Sequence, residues 1–244
     1  MFYFLGRLAE DFPEEVLTRL EKDLRDDLPD YRFGEALSAA ESHFAERDPD
    51  AAWKWFQNLQ LDPGNQWLKP TQYSLLAGIG RSDPALAIRR AEECGIKGTS
   101  FLRQGERTTD QQLATLAALR AWCRDDPERQ TELREHILAE TLKPTYHDPN
   151  RFDVVTGWIE QAALPMEEIG FLADARALDL CYHIDPRETG KWIEWLYRKF
   201  PEEQIEIRLR QLFEDHRTKA SARAWLDGLP PDKAVAFRQR LARE

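Results

Sequence analysis

The stretch Asp185-Pro186-Arg-Glu-Thr-Gly-Lys-Trp192-Ile-Glu-Trp195-Leu-Tyr-Arg-Lys-Phe200-Pro201 reads as one arm of a helical hairpin. Asp suits an N-cap, because its carboxylate accepts first-turn N–H groups that have no partner inside the helix. Pro suits the next position, where the missing N–H would be unpaired anyway. The same opening recurs at Asp48-Pro49, Asp83-Pro84, Asp126-Pro127 and Asp148-Pro149, whereas Asp62-Pro63 runs into Gly64. Matching stops stand at Leu164-Pro165, Phe200-Pro201 and Leu229-Pro230, with a weaker one at Lys143-Pro144. The interval from start to stop fits a helix of about three to four turns and a short connection.

Trp158, Trp192 and Trp225 lie 34 and 33 residues apart, each a few residues before a Pro stop. A period in that range indicates one helix–turn–helix unit repeated. The clearest units run from Asp148 to His183, from Asp185 to Arg217 and from Thr218 onward, with earlier ones starting near Asp48 and Asp83. A polar insert from Lys97 to Thr109 breaks the register and is expected to be a loop. Thr109-Asp110 then caps a helix through Leu113, Leu116, Ala117 and Trp122.

Apolar residues elsewhere follow helical spacing. Ala52, Trp55, Phe56 and Leu59 form one stripe, as do Ile205, Leu209 and Leu212. Between Met166 and Tyr182 two stripes coexist, one through Ile169, Ala173 and Leu180 and one through Phe171, Ala175 and Leu178, as in a helix sandwiched between neighbours. Strand-like alternation is nearly absent. The expected class is all-α, with helix above about 60% against a globular norm of roughly one-third.

The unit of Asp-Pro, a Trp-Ile or Trp-Leu step, and Leu-Pro resembles the degenerate tandem helical hairpins of bacterial superhelical proteins, related in style to tetratricopeptide and HEAT repeats. The resemblance covers residues 48–244. It departs from the tetratricopeptide pattern, since Trp158 is not followed at the expected offsets by a small residue and a Tyr. It implies an α-α superhelix, or solenoid, of about six antiparallel helical hairpins. In this reading, 48–244 is one continuous repeat domain, and the acidic helices of 1–47 cap it. It implies a binding scaffold in general terms and carries over no functional residue.

The chain has 244 residues, 42% of them apolar and eight of them Trp, which is enough material for a packed core. Its net charge of −10 is concentrated at the start, where the first fifty residues hold 14 acidic and 6 basic side chains. That sign repels a phosphate backbone and favours a basic protein or peptide, so nucleic acid is not an expected partner. Cys94, Cys123 and Cys181 are far apart and form no CxxC pair, which suggests a reducing compartment without structural disulfides. The opening five-residue apolar run meets Gly6, Arg7, Glu10 and Asp11, which fits neither a signal peptide nor a membrane span. The expected location is the cytoplasm.

Candidate chemistry is thin. Asp26, Asp27 and Asp30 spell DDxxD, but Pro29 lies inside the motif and would break the helix that must align the carboxylates. Cys181, His183 and Asp185 cannot share a metal on a helix, where positions two apart diverge. His147-Asp148 fits a helix end and a cap. Gly78 and Gly80 lack the rest of a phosphate-binding fingerprint, and read instead as close-packing positions or a helix end. Gly170 and Gly190, near helix starts, read likewise. Trp192 and Trp195, with Arg198 and Lys199, have the composition of a base-stacking platform and equally that of an inter-repeat core. No catalytic, cofactor-binding or metal-ligating residue is therefore assigned, and no cofactor is expected.

The expected function is a non-catalytic protein–protein interaction scaffold. The alternative is a HEAT-like-repeat DNA glycosylase or other nucleic-acid-binding enzyme, against which stand the net charge and the lack of that family's Trp-Asp segment. A subunit that buries its acidic start against a basic partner is a third reading.

Overall fold

The computed structural model describes residues 2–27, 31–105, 107–142, 151–170, 189–216 and 219–242. Among the described residues it is 78% helical, with no strand, and the all-α class follows. None of the helices among those residues is long and apolar enough to cross a membrane. The chain divides into two compact units, residues 1–133 and 134–244.

The first unit contains α1 (Phe2–Leu8), α2 (Pro13–Arg25), α3 (Tyr31–Arg47), α4 (Pro49–Leu59), α5 (Leu68–Ser82), α6 (Pro84–Glu93), a 3-10 turn (Ser100–Arg103) and α7 (Thr109–Cys123). The helix α8 (Arg129–Leu142) begins in it. At the centre stand α3, which packs on α1, α2, α4 and α5, and α5, which packs on α3, α4, α6, α7 and the 3-10 turn. Leu37, Ala40, Leu75 and Ile79 are buried where these two meet their neighbours.

Cap chemistry explains where several helices begin. The Ala51 N–H donates to Asp48 Oδ1 at 2.9 Å and the Leu86 N–H to Asp83 Oδ1 at 2.8 Å, with Pro49 and Pro84 in the first turns. Asp126-Pro127 behaves differently. Asp126 Oδ1 accepts from the N–H groups of Glu128 at 2.9 Å and Arg129 at 3.3 Å, so the dipeptide forms a turn and α8 starts only at Arg129. The cap of α7 is Thr108, one residue before the expected Thr109. Its hydroxyl accepts from the Gln111 N–H at 3.3 Å while Gln111 Oε1 accepts from the Thr108 N–H at 3.0 Å.

The polar insert is a loop, but not a solvated one. Its 3-10 turn carries Phe101 and Leu102, both fully buried. Leu102 Cδ2 lies 2.6 Å from where a Cβ of Gly80 would stand, so this glycine makes room for the turn. Glu132 holds the loop from the other side, its Oε2 accepting from the Thr99 N–H at 3.0 Å and the Thr99 hydroxyl at 2.8 Å. Gly98, at φ +80°, lets the backbone turn toward that carboxylate.

The second unit contains the rest of α8, then α9 (Arg151–Gln161), α10 (Thr189–Lys199), α11 (Glu202–Glu214), α12 (Lys219–Asp227) and α13 (Pro231–Leu241). The stops at Leu164-Pro165, Phe200-Pro201 and Leu229-Pro230 fall where expected, with α9 ending at Gln161, α10 ending at Lys199 and α13 opening at Pro231, while Lys143-Pro144 lies outside the described residues. Helices α10 to α13 share a core of Ile193, Leu196, Ile205, Leu209 and Leu212. Phe237 joins it through rings at 5.3 Å from Trp225 and 5.8 Å from Tyr197. A Cβ on Gly190 would stand 2.9 Å from Trp225 Cδ1, so this glycine serves close packing. Gly170 is the fifth residue of a helix that begins at residue 166. The starts at Asp148 and Asp185 lie outside the described residues.

Candidate functional site

The structure separates the residues singled out from the sequence. Asp26 is the C-cap of α2, and Asp30 lies outside the described residues. Asp27, at φ +55°, uses Oδ1 to accept the Gln66 N–H at 3.0 Å, while its carbonyl accepts from Gln66 Nε2 at 2.9 Å. Its role is to fasten the connection before α5. His147, Asp148, Cys181, His183 and Asp185 lie outside the described residues, as does the side chain of Trp192. Trp158 and Trp195 are buried, which places both in the core. Among the described residues no group of three His, Cys, Asp or Glu could hold a metal ion. Cys94 and Cys123 are both free thiols. Burial pushes Cys94 above its ordinary value, and pushes Cys123 up to about 11, so neither is primed as a nucleophile.

What the first unit does present is an open groove of about 750 Å³. One wall is a face of α3 running from Gly34 through Ser38 and Ser42 to His43, and the other is formed by Trp67, Ala77 and Arg81. At 1.5 Å per residue the α3 wall is about 14 Å long, room for about four residues of extended chain.

Trp67 forms one end, held by the connection from α4 to α5. Its N–H donates to Asn65 Oδ1 at 2.8 Å, and Asn65 Nδ2 donates to the Leu24 carbonyl at 3.0 Å, which ties the connection to the end of α2. The indole meets Phe33 edge-on at 5.0 Å and rests over Gly34, where a Cβ would stand 2.8 Å from its ring. Arg81 forms the other end. Its Nε donates to Glu46 Oε2 at 2.6 Å and its Nη2 to the Ser42 carbonyl at 3.1 Å, while Gln111 Nε2 donates to Glu46 Oε1 at 3.1 Å. The guanidinium charge is thus neutralised within the wall.

The hydroxyls of the α3 wall are bonded to α5. Ser42 Oγ donates to the Ser74 carbonyl at 3.1 Å, and Ser38 Oγ shares a hydrogen bond with Ser74 Oγ at 2.9 Å. Neither is presented to the His43 imidazole as a nucleophile would have to be.

No family model, curated protein or solved structure matches this chain. The groove is therefore read from its own residues.

Behind the α3 wall lies a group the sequence did not single out. Glu41 is 1% exposed, with the Thr71 and Ser74 hydroxyls of α5 beside it. Burial pushes its carboxyl up to about 8, because an ionised carboxylate loses its hydration there. The two hydroxyls act in the opposite sense and only partly offset this. Oε1 of Glu41 and Oγ1 of Thr71 have no hydrogen-bond partner among the described residues. The side chain therefore sits in the α3–α5 seam as a neutral acid at pH 7. Its position four residues after Leu37 and three before Phe44 puts it on the apolar stripe of α3, which is the signal in the sequence that could have found it.

Proposed function

We propose that this chain is a non-catalytic scaffold of helical hairpins, arranged as a solenoid in the manner of tandem repeat proteins, and that the α3–α5 groove receives a segment of a partner protein. The observation that carries this reading is the groove itself. It is open, about 750 Å³ in volume, and walled by two helices at the centre of the first unit. Its lining mixes an indole, small side chains and hydroxyls already committed to α5, which favours contact with a chain segment over chemistry on a small substrate. Stacked helices present such concave strips as a consequence of their geometry.

The test is a photoreactive amino acid placed at Ser38, followed by crosslinking in extract of the source cell and mapping of the joined peptides. The expected result is crosslinks to a defined segment of a partner, lost when Ala39→Trp fills the groove while the circular dichroism spectrum stays unchanged. Crosslinks that persist unchanged in the filled variant would overturn the assignment of the groove.

A further inference from the structure

We propose that the Trp67 end of this groove receives one cationic side chain, a Lys or Arg of the bound segment, between the indole and the carboxylate of Glu35. This rests on the reading of the groove as a segment site and names the chemistry of its occupant.

Three observations lead to it. Glu35 and Trp67 line the same groove, and Gly34, the residue before Glu35, lies directly under the indole, with a would-be Cβ 2.8 Å from the ring. Glu35 and the aromatic ring therefore stand at the same end of the groove. Glu35 is exposed and has no ion-pair partner among the described residues. The nearest cation of the groove, Arg81, is at the far end and is bound to Glu46 at 2.6 Å. From Glu35 to Glu46 the helix rises about 16 Å, roughly two Debye lengths at physiological salt, so Arg81 does not cancel Glu35.

An aromatic face beside a carboxylate is a pairing that recognises cations, because the ring quadrupole and the negative charge attract the same guest. Arg suits the site better than Lys, since its planar guanidinium stacks on a ring while its N–H groups reach a carboxylate. The setting agrees in sign, as the first fifty residues carry 14 acidic and 6 basic side chains. An anionic segment would meet a like charge at Glu35.

The experiment uses the full chain and three short Gly-Ser-Ala peptides that differ at one position, which is Arg, citrulline or Glu. Citrulline keeps the shape of Arg without its charge. Binding is read from the indole N–H signal of Trp67, assigned by its loss in Trp67→Phe. The Arg peptide is expected to shift that signal and to bind about three- to tenfold more tightly than the citrulline peptide. Glu35→Gln is expected to reduce that ratio to near one, and Glu35→Lys to invert it, without changing the melting temperature appreciably. Equal binding of the Arg and citrulline peptides, or a ratio untouched by Glu35→Gln, overturns the cation site and leaves the groove reading intact. If none of the three peptides perturbs Trp67 or any other groove signal, both readings fall.

Discussion

A Cβ added to Gly78 of α5 would stand 2.3 Å from the carbonyl oxygen of Ser42 on α3, and 2.8 Å from Ala45 Cβ. The obstacle is backbone, which cannot swing aside as a side-chain tip can. Gly78→Ala must therefore push α3 and α5 apart along the seam that forms the groove. We expect it to lower the unfolding free energy by about 2 to 3 kcal/mol, in the range of overpacked cores. Gly64→Ala is the control, because its Cβ would meet nothing within 4 Å. Equal denaturant midpoints for the two variants would show that the seam is not so tight.

Glu41 predicts an inverted pH dependence. Its carboxyl holds a proton up to about pH 8 in the folded chain, whereas in the unfolded chain it releases it near 4.5. Between those values the folded state binds more protons, so this group's stabilisation is full below the lower value, falls as pH rises through the window, and is gone above the upper one. The slope is at most about 1.4 kcal/mol per pH unit. Glu41→Gln removes the titration while keeping the shape. Urea melts at pH 5, 7 and 9 should show the variant close to the parent at the acid end and progressively more stable than it toward the alkaline end. Parallel curves would mean that the carboxyl is hydrated after all.

Asp83→Ala is expected to cost about 1 kcal/mol, the usual consequence of losing an N-cap, and Asp48→Ala a similar amount. Asp62→Ala should cost less, since Asp62 contributes its backbone carbonyl to the turn before Trp67. The comparison is three thermal melts under identical conditions, and a loss for Asp62→Ala equal to the other two would contradict the assignment of caps.

Duplex DNA is expected to bind weakly at about 150 mM salt, because counterion release needs free cations and the groove's own cation is occupied by Glu46. A basic peptide should bind more tightly, with an on-rate that falls as salt is added. Fluorescence titrations with both ligands decide this. Sub-micromolar duplex binding, or release of a damaged base, would favour the glycosylase-like alternative instead.

How much of this was written locally differs from residue to residue. Asp48 and Asp83 were legible, because a cap is settled within four residues. Asp126 forms a turn and the helix starts two positions later, since its side chain accepts from the N–H groups of Glu128 and Arg129 ahead of the first helical turn. The insert from Lys97 to Thr109 is polar by composition, yet the buried Phe101 and Leu102 decide its place, and two adjacent apolar residues have no period to reveal them. The groove was not legible at all. Trp67 and Gly34 are 33 residues apart in sequence, Arg81 and Ser42 are 39 apart, and only the packing of α3 on α5 brings them together. Glu41 was hidden by its residue type, which ordinarily marks a solvated face.

Asp83 also couples the motion of two helices. Its N–H donates to the Ile79 carbonyl at 2.7 Å and closes α5, while its carboxylate accepts from the Leu86 N–H at 2.8 Å and opens α6. One residue thus seals two helix ends, so neither can fray without uncapping the other. In native-state hydrogen exchange, amides at the end of α5 and the start of α6 should open together as one cooperative unit. The reach of each local fluctuation along this part of the chain is set by such shared joints, and here it spans a whole hairpin instead of a single turn.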